Sequence, residues 1–356
     1  MNFYKILNPL IYKLDPEKAH NLAIKFLKFL PNSATIFAIN NDYQNLHNEV
    51  CGIDFTNPIG LAAGFDKNAE VAKTLTKFGF GFIEIGTVTK QPQIGNKKPR
   101  LFRLAEDGAI INRLGFNNYG ADFFAKNLTD ISSSIVLGVN LGKNESTNDA
   151  LADYLFLLNK FYQRASYITV NISSPNTKNL RDLQKGDQLD GLLEGVMNRK
   201  QDLVTHHKKN TPILLKIAPD LTLEEQEIIS QIALKHQVDG LIVSNTTISR
   251  NQNLKSKNAV EIGGLSGKPL LEISNQVLRN FYRLTNGKIP LIGVGGISSA
   301  ADAYQKIKYG ASLVQIYSAL IYQGFGLVEK IKKELSEMLE KDGFKNISEA
   351  IGIDCQ

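Results

Sequence analysis

The sequence predicts a (β/α)8 barrel with an N-terminal helical extension, and three observations carry that expectation. Short apolar runs recur eight times, each ending in small or polar residues. Helical patterns lie between most of them, and the Gly-rich loops come near the end of the chain. Eight short β-runs alternating with helices over roughly 300 residues is the arithmetic of such a barrel, whose active site lies at the C-terminal strand ends. An open doubly wound sheet also alternates strand and helix, but it carries its Gly-rich turn after the first strand. Here that turn reads AAGFDKN.

Residues 1–47 precede this rhythm. Phe3, Ile6, Leu7, Leu10, Ile11 and Leu14 repeat at helical spacing; Asp15 and Pro16 then restart the chain as N-cap and first helical residue. A second stripe follows in Ala19, Leu22, Ala23, Phe26, Leu27 and Leu30, ended by Pro31, with Lys5, Lys13, Lys18, Lys25 and Lys28 on the flanks. Two amphipathic helices of this kind either pack on the barrel or lie in a membrane interface and admit a lipid-soluble molecule.

The β-runs fall at 59–68, 82–89, 136–144, 166–171, 213–220, 240–247, 291–298 and 313–318. They are rich in Val, Ile and Leu, as strands buried on both faces should be. Helical patterns occupy 69–78, 149–162, 189–206, 223–236, 270–284, 299–309 and 325–339. Residues 48–356 therefore read as one barrel domain, and a chain of 356 residues suits a barrel plus appendage better than two equal domains.

Composition excludes several classes. No apolar run approaches the ~20 residues that span a bilayer, and residues 1–14 lack the apolar core of a signal peptide. Cys51 and Cys355 stand far apart without partner spacing, which reads as reduced thiols of a cytoplasmic protein. The net charge of +6 is spread along the chain, with no Arg cluster and no aromatic interleaving, so nucleic acid is not an expected partner. His206 and His207 diverge on a helix, and no metal site is signalled.

The run at 166–171 breaks at once into Asn171, Ser173, Ser174, Pro175, Asn176 and Thr177. A turn alone does not call for two amides and two hydroxyls at the end of a buried strand. Groups that both donate and accept suit a flat, polar ligand with many heteroatoms.

Ten segments extend this pattern in order: DPEKAH, GLAAGFDKN, GTVTKQPQIGNKKPRLFRL, INRLGFNN, VNISSPNT, KIAPDL, SNTT, GGLSGKPL, GVGGI and LVQIYS. In sequence and spacing they resemble the dihydroorotate dehydrogenase family, and specifically its class 2, the quinone-linked, membrane-associated flavoenzymes of pyrimidine biosynthesis. The resemblance runs from about Leu14 to about Leu320. The N-terminal helical pair, and Ser174 where class 1 enzymes carry a cysteine base, select class 2. Ser244 departs slightly from bacterial relatives, which often have Thr there.

The resemblance implies oxidation of dihydroorotate to orotate, with loss of a proton from C5 and a hydride from C6 to non-covalently bound FMN. Ser174 resembles the general base, and the loop at 173–188 reads as a lid over it. Asn112, Asn171, Asn176 and Asn245, with Thr246, would read the pyrimidine, and Arg113, Leu114, Gly115 and Phe116 would close that side. Lys67 looks like the cation that meets both substrate and flavin.

For FMN, the resemblance implies Ala63, Gly64, Phe65 and Asp66 after strand one, where small residues let the ring lie on backbone. Thr87, Asn140, Asn171 and Ser244 would meet its polar edge. Lys216 would stabilise negative charge on the reduced ring. Gly267, Gly296, Tyr317 and Ser318 lie where such barrels bind phosphate.

His20, Arg103 and Tyr317 would line the approach of ubiquinone or menaquinone, although His20 also reads as an ordinary helix histidine. A monomer on the cytoplasmic side of the cell membrane, held there by its N-terminal helices, is the expected state. Two rival classes would show other residues. A different FMN barrel oxidoreductase would replace the asparagine set or carry Cys at 174, and a non-catalytic phosphate-binding barrel has no use for Ser174 and Lys67 together.

Overall fold

Eight parallel strands close into a ring in the computed structural model, which describes residues 12–30, 41–128, 135–250 and 252–355. They are β1 Ile59–Leu61, β2 Phe82–Val88, β3 Leu137–Leu141, β4 Tyr167–Asn171, β5 Ile213–Ile217, β6 Gly240–Val243, β7 Leu291–Val294 and β8 Ala311–Ile316. Each pairs with the next in chain order and β8 closes on β1. All eight fall on the runs that the sequence marks.

The helices are α1 Pro16–Phe29, α2 Ala72–Leu75, α3 Gly120–Asn127, α4 Ala150–Phe161, α5 Gly186–His207, α6 Leu223–Lys235, α7 Leu271–Leu284, α8 Ala300–Lys308, α9 Ser318–Gln323 and α10 Gly326–Lys341. Their starts follow from side-chain chemistry. Asp15 caps α1 by accepting from the Lys18 amide at 2.9 Å, with Pro16 as first helical residue. Asp149 and Ser299 cap α4 and α8, and Thr222 with Glu225 forms a capping box on α6.

Side chains that point inward from the strands fill the barrel in layers. At the N-terminal end Phe82, Tyr167, Leu214, Ile242, Ile292 and Leu313 form an apolar plug, closed below by Val50 and Phe55 of the hairpin Asn48–Val50 and Ile53–Phe55. Two glycines make room for its rings. A Cβ on Gly60 would lie 2.3 Å from the Phe82 ring, and one on Gly138 would lie 2.2 Å from that of Tyr167.

Several elements differ from the sequence expectation. The stripe from Phe3 to Ile11 lies outside the described residues, and Leu14 sits in the turn before α1. The helix expected over 69–78 is a short α2 followed by a 3-10 turn, Thr76–Phe78. Its first residues are held instead by Asp66, whose carboxylate accepts from the Glu70 and Val71 amides at 2.8 Å each, with Ala69 at φ 59°. The loop expected over 173–188 ends sooner, because a 3-10 turn at Arg181–Gln184 leads directly into α5. An antiparallel sheet of Leu101–Leu104, Ala109–Asn112 and Gly264–Gly267 joins the excursion after β2 to the one after β6. α3, also not anticipated, completes the same excursion.

The glycine at 138 offers a direct check on the layered interior. Gly138→Ala should destabilise the fold by about 1–3 kcal/mol through overpacking against Tyr167. Urea unfolding reads this as a lower midpoint with an unchanged slope, and an unchanged midpoint would mean that the layer yields freely.

Candidate active site

A cavity of about 1280 Å³ lies between the C-terminal strand ends and α1. Its floor is set by a carboxylate deep in the barrel. Glu84, on β2, is fully buried and accepts from Asn140 Nδ2 at 2.6 Å, Gln315 Nε2 at 2.7 Å and the Tyr167 hydroxyl at 3.0 Å. Asn140 therefore turns its oxygen upward, where Oδ1 accepts from Thr87 Oγ1 at 2.6 Å and Asn171 Nδ2 at 3.0 Å. Asn171 Oδ1 then accepts from Ser173 Oγ at 3.0 Å and, at 3.4 Å, from Asn245 Nδ2.

Above this floor the polar side chains expected to hold a substrate come together. Asn112, Asn171, Ser174, Asn176, Asn245 and Thr246 all line the cavity, as do Leu114, Gly115 and Phe116. Asn176 Nδ2 donates to Asn112 Oδ1 at 3.1 Å, linking the loop after β4 to the antiparallel sheet. Ser174 is buried, and its Oγ accepts from the Asn176 amide at 3.3 Å. Arg181 straps this loop down: it donates to the carbonyls of Ser173 at 3.0 Å and Thr246 at 2.9 Å and pairs with Asp220 at 2.8 Å.

Two lysines reach the same cavity, and neither ammonium has a hydrogen-bond acceptor among the described residues. Burial pulls Lys67 down to about 8, with Glu17 working against that shift and Arg100 adding to it. Burial also lowers Lys216, against which the Glu84 charge acts. Two desolvated cations without carboxylate partners are unfavourable until an anion joins them. The cavity is built for anionic ligands.

A third region fits a phosphate. Gly267, Gly296, Tyr317 and Ser318 line the cavity near the ends of β7 and β8, and Ser318 Oγ donates to Ser266 Oγ at 2.8 Å. Gly296 has φ 79°, and a Cβ there would fall 2.5 Å from the backbone of Leu271. Only glycine lets this loop lie against the first turn of α7. Ala63, Gly64 and Ser244 complete the wall, with Tyr317 Oη donating to the Gly64 carbonyl at 3.4 Å.

A family model described as dihydroorotate dehydrogenase matches residues 45–339. The chain belongs to the dihydroorotate dehydrogenase family. Relatives named "Dihydroorotate dehydrogenase (quinone)" include one from Rhodopseudomonas palustris (strain BisA53), 49% identical over 97% of this chain and 94% of its own. Another, from Idiomarina loihiensis, is 48% identical over 93% of this chain and 100% of its own. With such relatives the chain falls in class 2 of the family. Among solved structures, the dihydroorotate dehydrogenase of Eimeria tenella in complex with ferulenol superposes with a TM-score of 0.90. It is 39% identical, with 97% of this chain and 98% of that one covered.

Dihydroorotate dehydrogenases are flavin-dependent, and the remaining expected residues can be placed against that chemistry. Phe65 lines the cavity and meets the His20 ring edge-on at 5.4 Å. His20 and Arg103 line it too, together with Ala19, Leu22, Ala23 and Phe26 of α1. Arg103 donates to the carbonyl of Leu14 at 2.8 Å. Three expected residues do not line the cavity. Asp66 turns away to its backbone amides, Arg113 pairs with Glu261 at 2.7 Å and stacks on Phe102, and Asn140 lies one layer below in the floor network.

Sequence reasoning missed Glu84, Gln315 and Arg181. A lone Glu in the apolar run FIEIGTV was the available signal for the first. It also missed Arg100, which is 5% exposed, grips Glu17 of α1 through two contacts at 2.7 and 3.1 Å, and donates to the carbonyls of Ile94 and Asn96. Asn96 Nδ2 in turn donates to the Asn176 carbonyl at 3.0 Å. α1 is thereby tied to the loop that carries Ser174.

Burial, reinforced by the nearby Lys67 charge, lowers His20 to about 3, so the imidazole is neutral near pH 7. The folded value lies below that of the unfolded chain. Unfolding therefore takes up a proton at this site, and stability falls as pH drops below about 6.5. His20→Gln should make that fall shallower in denaturant titrations at successive pH values. An equal slope in parent and variant would show that His20 ionises normally.

Proposed function

We propose that the chain oxidises (S)-dihydroorotate to orotate and passes the electrons to a membrane quinone, in the de novo synthesis of UMP. One observation carries the reading: two ammoniums without an acceptor among the described residues, the amides of Asn112, Asn171, Asn176 and Asn245, and the Ser174 hydroxyl face one cavity with a glycine-lined end. Non-covalently bound FMN supplies the hydride acceptor for C6.

Lys67 and Lys216 would hold the negative charge that the reaction brings into the cavity, Lys67 serving both substrate and flavin and Lys216 the reduced flavin. Asn112, Asn171, Asn176 and Asn245, with Thr246, orient the pyrimidine by pairing with its imide edges and carboxylate. Ser174 Oγ would accept the C5 proton as its own hydroxyl proton is relayed outward, past the loop, to bulk water. A serine is a weak base in water, so the strapped loop must exclude solvent while that proton leaves. Backbone and hydroxyls at Gly267, Gly296 and Ser318 take the phosphate.

The acceptor side belongs to residues 1–47, and the barrel from residue 48 is the catalytic unit. Leu22, Phe26 and Phe29 on α1 are more than half exposed, beside Lys18, Lys25 and Lys28. Among the described residues no helix is long and apolar enough to cross a membrane. Apolar side chains flanked by lysines suit a monomer resting on the cytoplasmic face of an anionic bilayer. Ubiquinone or menaquinone would then pass between α1 and the barrel, along His20, Arg103 and Tyr317.

Anaerobic stopped-flow absorbance tests the first half-reaction. Dihydroorotate should bleach the flavin without NAD or fumarate, and Ser174→Ala should retain flavin while bleaching about a thousandfold more slowly, as loss of a general base requires. Flavin that stays oxidised in the parent overturns the substrate assignment. Bleaching of the variant at the parent rate overturns the base.

The second half-reaction separates the roles of the two regions. Deleting residues 1–40 should leave reduction by dihydroorotate near the parent rate and abolish fast reoxidation by a short-chain quinone. It should also cut binding to anionic vesicles. Should both half-reactions slow together, α1 is a brace for the barrel and quinone reaches the flavin elsewhere.

A further inference from the structure

One ionisable group lies outside every role given so far. Lys306, on the inner face of α8, is completely buried. Its ammonium donates to Ser274 Oγ at 2.7 Å and Asn275 Oδ1 at 2.8 Å, and no carboxylate among the described residues lies within 4.0 Å of it. Both partners belong to the first turns of α7, where Ser274 is fully buried and Asn275 nearly so.

This placement runs against ordinary helix electrostatics. The start of a helix carries partial positive charge and favours anions, yet a cation is held there out of water. Burial pulls Lys306 down to about 7, while the more distant Asp302 and Glu272 charges act in the opposite direction. Something else must repay the charge.

The geometry indicates what that is. The lysine stem runs beneath β7: a Cβ on Gly293 would lie 3.1 Å from Lys306 Cδ. Its partner Ser274 shares its one hydroxyl proton between the Leu271 carbonyl at 2.9 Å and the Gly295 carbonyl at 3.0 Å, and a Cβ on Gly295 would meet the Ser274 side chain at 3.0 Å. Next in the chain, Gly296 rests on Leu271 in the same helical turn. The ammonium thus stands directly behind the turn that lines the glycine-rich end of the cavity.

We propose that Lys306 is a positioning residue for the phosphate of the bound flavin: through Ser274 it fixes the Gly295–Gly296 turn, and it sets a buried positive charge behind the dianion. The inference rests on the reading of this cavity as a flavin site. Lys306 touches neither flavin nor substrate and acts through the turn.

Competition between FMN and riboflavin on the full chain isolates the phosphate, because the two ligands share every other group. Lys306→Met keeps the volume and removes the charge. It should weaken FMN by about tenfold or more, 1.4 kcal/mol by the affinity relation, and leave riboflavin within about twofold. If the two affinities fall together, or neither changes, Lys306 serves folding alone and the proposal is wrong. Ser274→Ala, which cuts the link but leaves the lysine, guards against a Met variant that does not fold. It should lower the FMN-to-riboflavin preference about threefold, and an unchanged preference overturns the proposal equally. A parent protein that holds neither flavin refutes the cavity assignment, whereas one that holds both with the parent ratio in the variants refutes only the role of Lys306.

Discussion

The orientation of the polar groups at the barrel mouth depends on one buried carboxylate. Glu84 accepts from three donors, so the amide of Asn140 must present its nitrogen downward. Its oxygen then faces up and takes the hydrogens of Thr87 and Asn171, which in turn leaves Asn171 Oδ1 free to accept from Ser173 and Asn245. Donor direction propagates from the middle of the barrel to the strand ends through fixed bonds. Reversing any one amide would place hydrogen against hydrogen in a dry interior, a loss comparable to an unsatisfied buried group.

That network also balances the charges around it. A carboxylate buried among apolar layers is tolerable only when its lone pairs are filled, and here three are. Glu84 acts on Lys216 as well, favouring its charged form against desolvation. The lysine keeps an ammonium whose hydrogens remain unclaimed among the described residues. The barrel thus holds a cation ready for a ligand, at a position where water could not have held it in a fixed direction.

Much of this was legible in the sequence, for physical reasons. Parallel strands buried on both faces read as apolar runs, and the barrel requires each to end in residues that can face a ligand, so all eight were visible. The antiparallel sheet was not, since Ala109–Asn112 and Gly264–Gly267 pair across some 150 residues and each has only four. Helical periodicity over 69–78 was overridden by Asp66, which caps the backbone locally before a helix can start. In the site, Ser174 and its asparagines stand at strand ends and are readable there. Glu84, Arg181, Arg100 and Lys306 act through partners distant in the chain, and nothing in their neighbours announces those partners. Arg113 shows the converse: its place in a recognisable segment suggested the ligand, yet Glu261 and Phe102 claim its guanidinium.

Among the described residues the wall formed by α1 is a single helix thick. Leu22 and Phe26 both face the cavity and remain 58% and 59% exposed, so the same side chains meet the interior and the surroundings. An amphiphile added to keep such a surface dispersed therefore binds the very side chains that line the interior. On the proposed acceptor route along α1, handling and function share one surface. For an acceptor that enters along α1, apparent affinity is a property of protein and amphiphile together, and values obtained in different detergents describe different competitions.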